Sequence, residues 1–166
     1  EIQLAGETLF MGYVEDDHLR RPLTDDGWFT TGDLGNVDED GYLTIVGRRD
    51  NRFFSGGETI YPEEIERALT DHSGVEQAVV VPIPDEEFGQ RCVAFVKSAE
   101  ACLDGSELAA WLGRALPRYK VPSVFYDWPD TDLATFKIDR VNFRRMALDG
   151  PRVPLGNPTK EGGGGG

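Results

Sequence analysis

Gly47-Arg48-Arg49-Asp50-Asn51-Arg52-Phe53-Phe54-Ser55-Gly56-Gly57-Glu58-Thr59-Ile60-Tyr61-Pro62-Glu63-Glu64-Ile65-Glu66 runs from the end of an apolar strand, through an Arg/Asp cluster and a glycine pair, into a helix. Gly56-Gly57 permits positive φ and close approach of a ligand to the backbone. Pro62 suits the first helical turn, where its missing N–H would have no intrahelical partner. Glu63, Glu64 and Glu66 complement the positive end of the helix dipole. Glu63 and Arg67 are four apart, as are Ile65 and Leu69, so one face is charged and the other apolar. By spacing alone the segment is a strand, a glycine loop and a surface helix, and a ligand is not required.

On the C-terminal side of this stretch, strands and helices alternate. Pro62 to Asp71 is a helix, Val75 to Pro82 an apolar strand bounded by Pro82 and Pro84, and Arg91 to Lys97 a second strand. Asp104 to Leu116 is a helix with Asp104 as N-cap and Glu107 three residues on, an acidic variant of the capping box. Leu108, Trp111, Leu112 and Ala115 fall on one face at helical spacing and read as core. Ser123 to Trp128 is a third strand, and Asp139 can cap a last helix, Arg140 to Leu148. On the N-terminal side, Thr8 to Tyr13 and Tyr42 to Val46 are β-rich runs, with turns at Asp25-Asp26-Gly27 and Asp40-Gly41. The expected fold class is α+β. It comprises a β-rich end of a larger domain (1–49), a small unit with a modest sheet and flanking helices (50–149), and a disordered Gly/Pro-rich tail (150–166).

Composition narrows the function. Apolar residues make up 39% of 166, enough for a core. Net charge is −13, which argues against nucleic acid, since phosphate backbones require clustered Lys and Arg. A halophilic host and an acidic mesophilic protein both account for such a surface. No apolar run is long enough to span a bilayer and no signal pattern opens the chain, so no membrane insertion and a cytoplasmic location are expected. Cys92 and Cys102 are too few for a disulfide framework, and neither they nor His18 and His72 have metal-ligand spacing. No metal site is expected in this chain.

Leu43-Thr44-Ile45-Val46-Gly47-Arg48, then Asp50-Asn51, Phe53-Phe54-Ser55-Gly56-Gly57-Glu58 and Ile60-Tyr61-Pro62 together resemble the hinge motif of the adenylate-forming enzyme superfamily, in its acyl- and aryl-CoA ligase branch. The resemblance covers residues 6–148 in motif order as well as content. It implies a reaction in two steps: acid plus ATP gives acyl-AMP, and CoA then gives the thioester. It also implies ATP, Mg2+ and CoA as substrates or cofactor, and a small-molecule carboxylic acid. Asp33, in Thr31-Gly32-Asp33, would accept hydrogen bonds from the ribose hydroxyls, a task suited to an acceptor-only carboxylate. Arg48 would also contact the ribose, and Asp50 would be the pivot between domain orientations. Gly56 and Gly57 would lie at the channel for the CoA pantetheine arm. Lys137, in Phe136-Lys137-Ile138-Asp139-Arg140, would be the catalytic lysine, bridging the acid carboxylate and the α-phosphate during adenylation. A mobile point charge on a long stem fits that role.

Two departures from the family pattern bear, in turn, on the branch and on the loop before the lysine. Many relatives have Lys at the positions of Phe54 and Gly56; the forms present here match the aryl- and succinylbenzoate-type branch. Asp132-Leu133-Ala134-Thr135-Phe136 replaces the usual Gly/Pro-rich turn before the lysine. The phosphate loop and the acid pocket of such enzymes do not occur in the sequence. Its expected partner is therefore a missing N-terminal adenylating domain, and the fragment alone is expected to be inactive. Another aryl- or fatty-acid–CoA ligase, a non-catalytic module docking on a separate N-terminal partner, and a peptide-synthetase adenylation domain are the competing readings.

Overall fold

Two units divide the chain, Glu1–Arg52 and Phe53–Gly166. The computed structural model describes residues 1–98, 103–129, 138–149 and 154–155. Lys137, Cys102 and most of the expected tail lie outside the described residues.

The first unit is built from two-stranded antiparallel ladders. β1 (Gln3–Leu4) pairs with β4 (Phe29–Thr30), β2 (Tyr13–Glu15) with β3 (His18–Arg20), and β5 (Asp33–Val37) with β6 (Leu43–Arg48). The expected run from Thr8 meets β2 only at Tyr13. It is interrupted by Gly12, whose φ of +149° an L side chain rarely adopts and whose Cβ would lie 2.5 Å from the Arg20 carbonyl oxygen. Asp16 and Asp17 turn the β2–β3 hairpin with φ of 46° and 63°. A two-residue hairpin matched to strand twist needs positive φ at both positions, and Asp is among the few side chains that tolerate it. Phe10, Met11, Val14, Trp28 and Ile45 are exposed, and the buried hydrophobic core begins only at Phe53. Short ladders of this kind do not enclose a core.

The second unit encloses one. β7 (Phe53–Ser55) and β8 (Glu58–Ile60) form a hairpin closed by Gly56-Gly57, then α1 (Pro62–Thr70) begins with Pro62 in its first turn. β9 (Val75–Asp85) and β10 (Gly89–Ser98) pair antiparallel, and β11 (Phe125–Asp127) adds parallel to β10, giving the order β11-β10-β9. Side-chain alternation divides the apolar residues between the two faces of this sheet. Ala78, Val80, Cys92, Ala94 and Val96 pack with Ile65 and Leu69 of α1 and with Leu108 and Leu112 of α2 (Gly105–Leu112). Val79, Val81, Val93 and Phe95 pack with Phe143 of α3 (Arg140–Asp149). A sheet covered on both faces explains why β9 and β10 read as nearly continuous apolar runs.

Three local outcomes differ from the sequence-based expectation. The glycine loop is a true hairpin, with φ of 57° and 86° at Gly56 and Gly57. β9 continues through Pro82 and Pro84 to Asp85 instead of stopping at the first proline. Val80, in the same alternating register, sends its N–H outward to Glu66 Oε1 at 2.7 Å, so both prolines present their missing N–H to the sheet edge, where no ladder bond is lost. α2 ends at Leu112, and the bonds from Ala115 and Leu116 back to Leu112 are turns. Asp104 does cap α2, accepting from Ser106 N–H at 2.9 Å, whereas Glu107 faces His72 at 3.6 Å. Asp139 likewise accepts from Asn142 N–H at the start of α3. On the opposite edge, Leu155 donates its N–H to the Phe125 carbonyl and Pro154 bridges Tyr126.

Candidate functional site

In the first unit, the β5–β6 ladder sets Asp33 directly opposite Arg48. Arg48 Nη1 donates to Asp33 Oδ1 at 2.8 Å, and Thr31 Oγ1 accepts from Asp33 N–H at 3.0 Å. The Arg48 side chain is about half exposed, so the pair contributes on the order of 0–1 kcal/mol and acts by orientation rather than by stability. Gly32, between Thr31 and Asp33, has φ of +79°, and a Cβ there would lie 3.0 Å from Arg48 Nη2. The backbone there calls for glycine, and a Cβ would make the guanidinium give by a few tenths of an ångström. Asp33 Oδ2 has no hydrogen-bond partner among the described residues. Asp50, just past β6, is exposed and has an oxygen 3.5 Å from Arg49 Nε.

In the second unit, the structure separates the two glycines of the hairpin. Gly56 is constrained by packing: its N–H donates to the Phe88 carbonyl, and a Cβ there would fall 2.9 Å from the Phe88 ring. At Gly57 the φ of +86° alone requires glycine, since a Cβ would meet nothing within 4 Å. Next to this hairpin is a cleft of about 670 Å³, with Ser55, Phe88, Arg91, Arg118, Tyr119 and Ser123 in its lining. The Arg91 guanidinium lies over the Phe88 ring at 4.4 Å and within 3.4 Å of Asp85. Arg118 makes no ion pair among the described residues. Cys92 also lines the cleft; burial pushes its thiol up to about 12, against a weaker opposing effect of Arg91. A thiol so hard to ionise is not a nucleophile near neutral pH.

The acidic first turn of α1 does more than complement a helix dipole. Glu64 receives Lys120 Nζ at 2.7 and 2.6 Å. Glu66 accepts from Nη1 and Nη2 of Arg140, and Arg140 also reaches the Val80 carbonyl at 3.1 Å and Glu63 at 3.4 Å. Burial would lower the Arg140 pKa, but the hydrogen bond to Glu66 and the charges of Glu66 and Glu63 hold it above its ordinary value. These contacts fasten the start of α3 to α1 and β9.

Of the residues singled out in the sequence, Asp33 and Arg48 are brought together, Gly56 and Gly57 form the hairpin tip, and Lys137 lies outside the described residues. The sequence did not single out Phe88, Arg91, Arg118 or Tyr119 as a common wall. Arg118 and Tyr119 fall in the stretch Leu116-Pro117-Arg118-Tyr119-Lys120-Val121-Pro122. Among the described residues no cluster of His, Cys, Asp and Glu could hold a metal ion, and no helix is long and apolar enough to cross a membrane.

The chain matches the family described as AMP-binding enzyme C-terminal domain over residues 64–133. It is 46% identical over 122 residues to the 2-succinylbenzoate–CoA ligase of Salmonella typhimurium, covering 74% of this chain and 26% of that protein. Identity is also 46%, over 127 residues, to the sulfoacetate–CoA ligase of Cupriavidus necator, covering 75% of this chain and 25% of that protein. The fold superposes on o-succinylbenzoate CoA synthetase from Bacillus subtilis in complex with the acyl-adenylate intermediate OSB-AMP. There the TM-score is 0.72 with 28% identity, over 92% of this chain and 31% of that one. The chain therefore spans between a quarter and a third of the length of the proteins it matches.

Proposed function

We propose that this chain is the C-terminal part of an AMP-forming acid–CoA ligase whose acid is o-succinylbenzoate, a precursor in menaquinone synthesis. The full protein would convert acid and ATP to acyl-AMP and pyrophosphate, then acyl-AMP and CoA to acyl-CoA and AMP. The observation that carries the nucleotide part of this reading is the Asp33–Arg48 pair, in which the guanidinium orients a carboxylate able to accept from ribose hydroxyls. Asp50 would serve as the hinge, Lys137 as the adenylation lysine, and Gly57 as the smooth face of the pantetheine channel. The cleft beside the hairpin, with Arg91, Arg118 and Tyr119, would take the phosphorylated nucleotide end of CoA. Mg2+ would enter with the ATP phosphates, since no described cluster of this chain could hold it. The phosphate loop and acid pocket would come from an N-terminal adenylating domain, consistent with how little of each relative the chain spans. A cytoplasmic site of action goes with the supply of ATP and CoA.

A different acid is the second reading, because identity to the sulfoacetate–CoA ligase equals that to the succinylbenzoate enzyme. Pyrophosphate exchange with the full-length protein, run with each acid, decides between them. Exchange with o-succinylbenzoate is expected, and none from the isolated chain with either acid. Exchange with sulfoacetate alone would reassign the acid, and turnover by the isolated chain would overturn the fragment reading.

Gly57→Leu tests the CoA channel. Positive φ at a leucine costs about 1–2 kcal/mol, but its Cβ would meet no atom within 4 Å. In the full protein, acyl-AMP formation should stay within about threefold of wild type, and the CoA step should fall by at least about tenfold. Equal loss in both half-reactions would mean that backbone strain, not channel blockage, is responsible.

A further inference from the structure

Lys120 ends the short 3₁₀ turn Arg118–Lys120, which carries Arg118 and Tyr119 into the wall of the cleft. Lys120 itself does not line the cleft. Its side chain is mostly buried (14% exposed), with Nζ 5.9 Å from the centre of the Tyr119 ring and 2.7 and 2.6 Å from the two oxygens of Glu64. Glu64 stands in the first turn of α1, two residues after Pro62 and just past the β7–β8 hairpin. The pair therefore joins two segments 56 residues apart, one carrying Tyr119 and the other following the glycine hairpin.

A single 3₁₀ turn has little stability of its own, because its bonds are few and poorly aligned. Here the backbone bonds are Lys120 N–H to the Pro117 carbonyl and Val121 N–H to the Arg118 carbonyl. The Cys92 thiol reaches the Lys120 carbonyl at 3.5 Å. An ordinary surface lysine would leave its ammonium in water, since ordering the side chain costs about 2 kcal/mol of rotamer entropy. One whose ammonium is held by both carboxylate oxygens restricts the turn on which it sits. We propose that Lys120 and Glu64 are a positioning pair: they fix the spacing between the Arg118–Tyr119 turn and the glycine hairpin, and so set the affinity of the cleft for CoA. This rests on the reading that the cleft takes the nucleotide end of CoA.

Calorimetric titration of CoA into the full-length protein tests the proposal. Lys120→Met and Glu64→Gln should each weaken CoA binding by about tenfold or more, and the double variant should be no weaker than either single one. Pyrophosphate exchange should remain within about twofold of wild type in all of them, and Lys120→Arg should restore CoA affinity to within about threefold. Glu64→Gln keeps the side-chain shape and carries the test if Lys120→Met fails to fold. CoA affinity unchanged in a folded variant, losses that add in the double variant, or a parallel fall in pyrophosphate exchange would each overturn the positioning role. A wild-type protein that binds no CoA would instead overturn the functional reading, and this role with it.

Discussion

Replacing Lys137 by alanine in the proposed full-length ligase is expected to slow acyl-AMP formation by about 10²–10³-fold, a loss of about 3–4 kcal/mol of transition-state stabilisation. Negative charge gathers between the attacking carboxylate and the α-phosphate as adenylation proceeds. An ammonium placed there interacts more strongly with the transition state than with the ground state, which is the condition for acceleration. Thioester formation from pre-made acyl-AMP should change by less than about threefold, because the proposed domain rotation about Asp50 withdraws the lysine in that step. Single-turnover assays of each half-reaction make the comparison. A fall of equal size in both would sink the assignment of Lys137 and with it the alternation of orientations.

A second large effect is expected at Arg140, this time on stability. Arg140→Met removes the cation shared by Glu66 and Glu63 and leaves two mostly buried carboxylates beside one another. Removing one partner of a buried pair costs about 3–5 kcal/mol, and the remaining exposure of Arg140 puts the expected value near about 3 kcal/mol. Denaturant unfolding of the chain, followed by the circular dichroism of the second unit, would measure it. The double variant Arg140→Met, Glu66→Gln should recover part of the loss, since it no longer buries an unpaired charge next to Val80. A loss under about 1 kcal/mol for Arg140→Met would show the network to be solvent-screened and of no structural consequence.

What could be read from the sequence depended on how far apart the interacting residues are. The start of α1 at Pro62, the caps Asp104 and Asp139, and the turn glycines Gly27 and Gly41 each declare themselves within a few residues, and all appear in the structure. The two long strands were legible from their apolar content, but β9 was expected to stop at Pro82. A proline forbids a ladder bond only when its nitrogen faces the partner strand, and that depends on a register the local sequence does not reveal. The partners of the α1 carboxylates lie 56 and 74 residues away, so the acidic turn looked like simple dipole compensation. The candidate site divides in the same way. Asp33 and Arg48 were singled out individually by resemblance to a family. Their direct pairing across β5 and β6 is a product of strand register.

The two edges of the three-stranded sheet bear on how the chain behaves at high concentration. A small sheet with bare edges is a template on which identical chains can stack into cross-β fibrils. On β9 the template is defective: the Val80 N–H is already taken by Glu66, and Pro82 and Pro84 have no hydrogen to offer an incoming strand. On β11, Pro154 and Leu155 occupy the place a fourth strand would use. Growth by edge addition would first have to break a charged hydrogen bond or peel away a covering segment. Concentrated solutions of the chain should therefore resist seeding by strand-forming peptides for as long as Glu66 holds the Val80 N–H and Leu155 stays on β11.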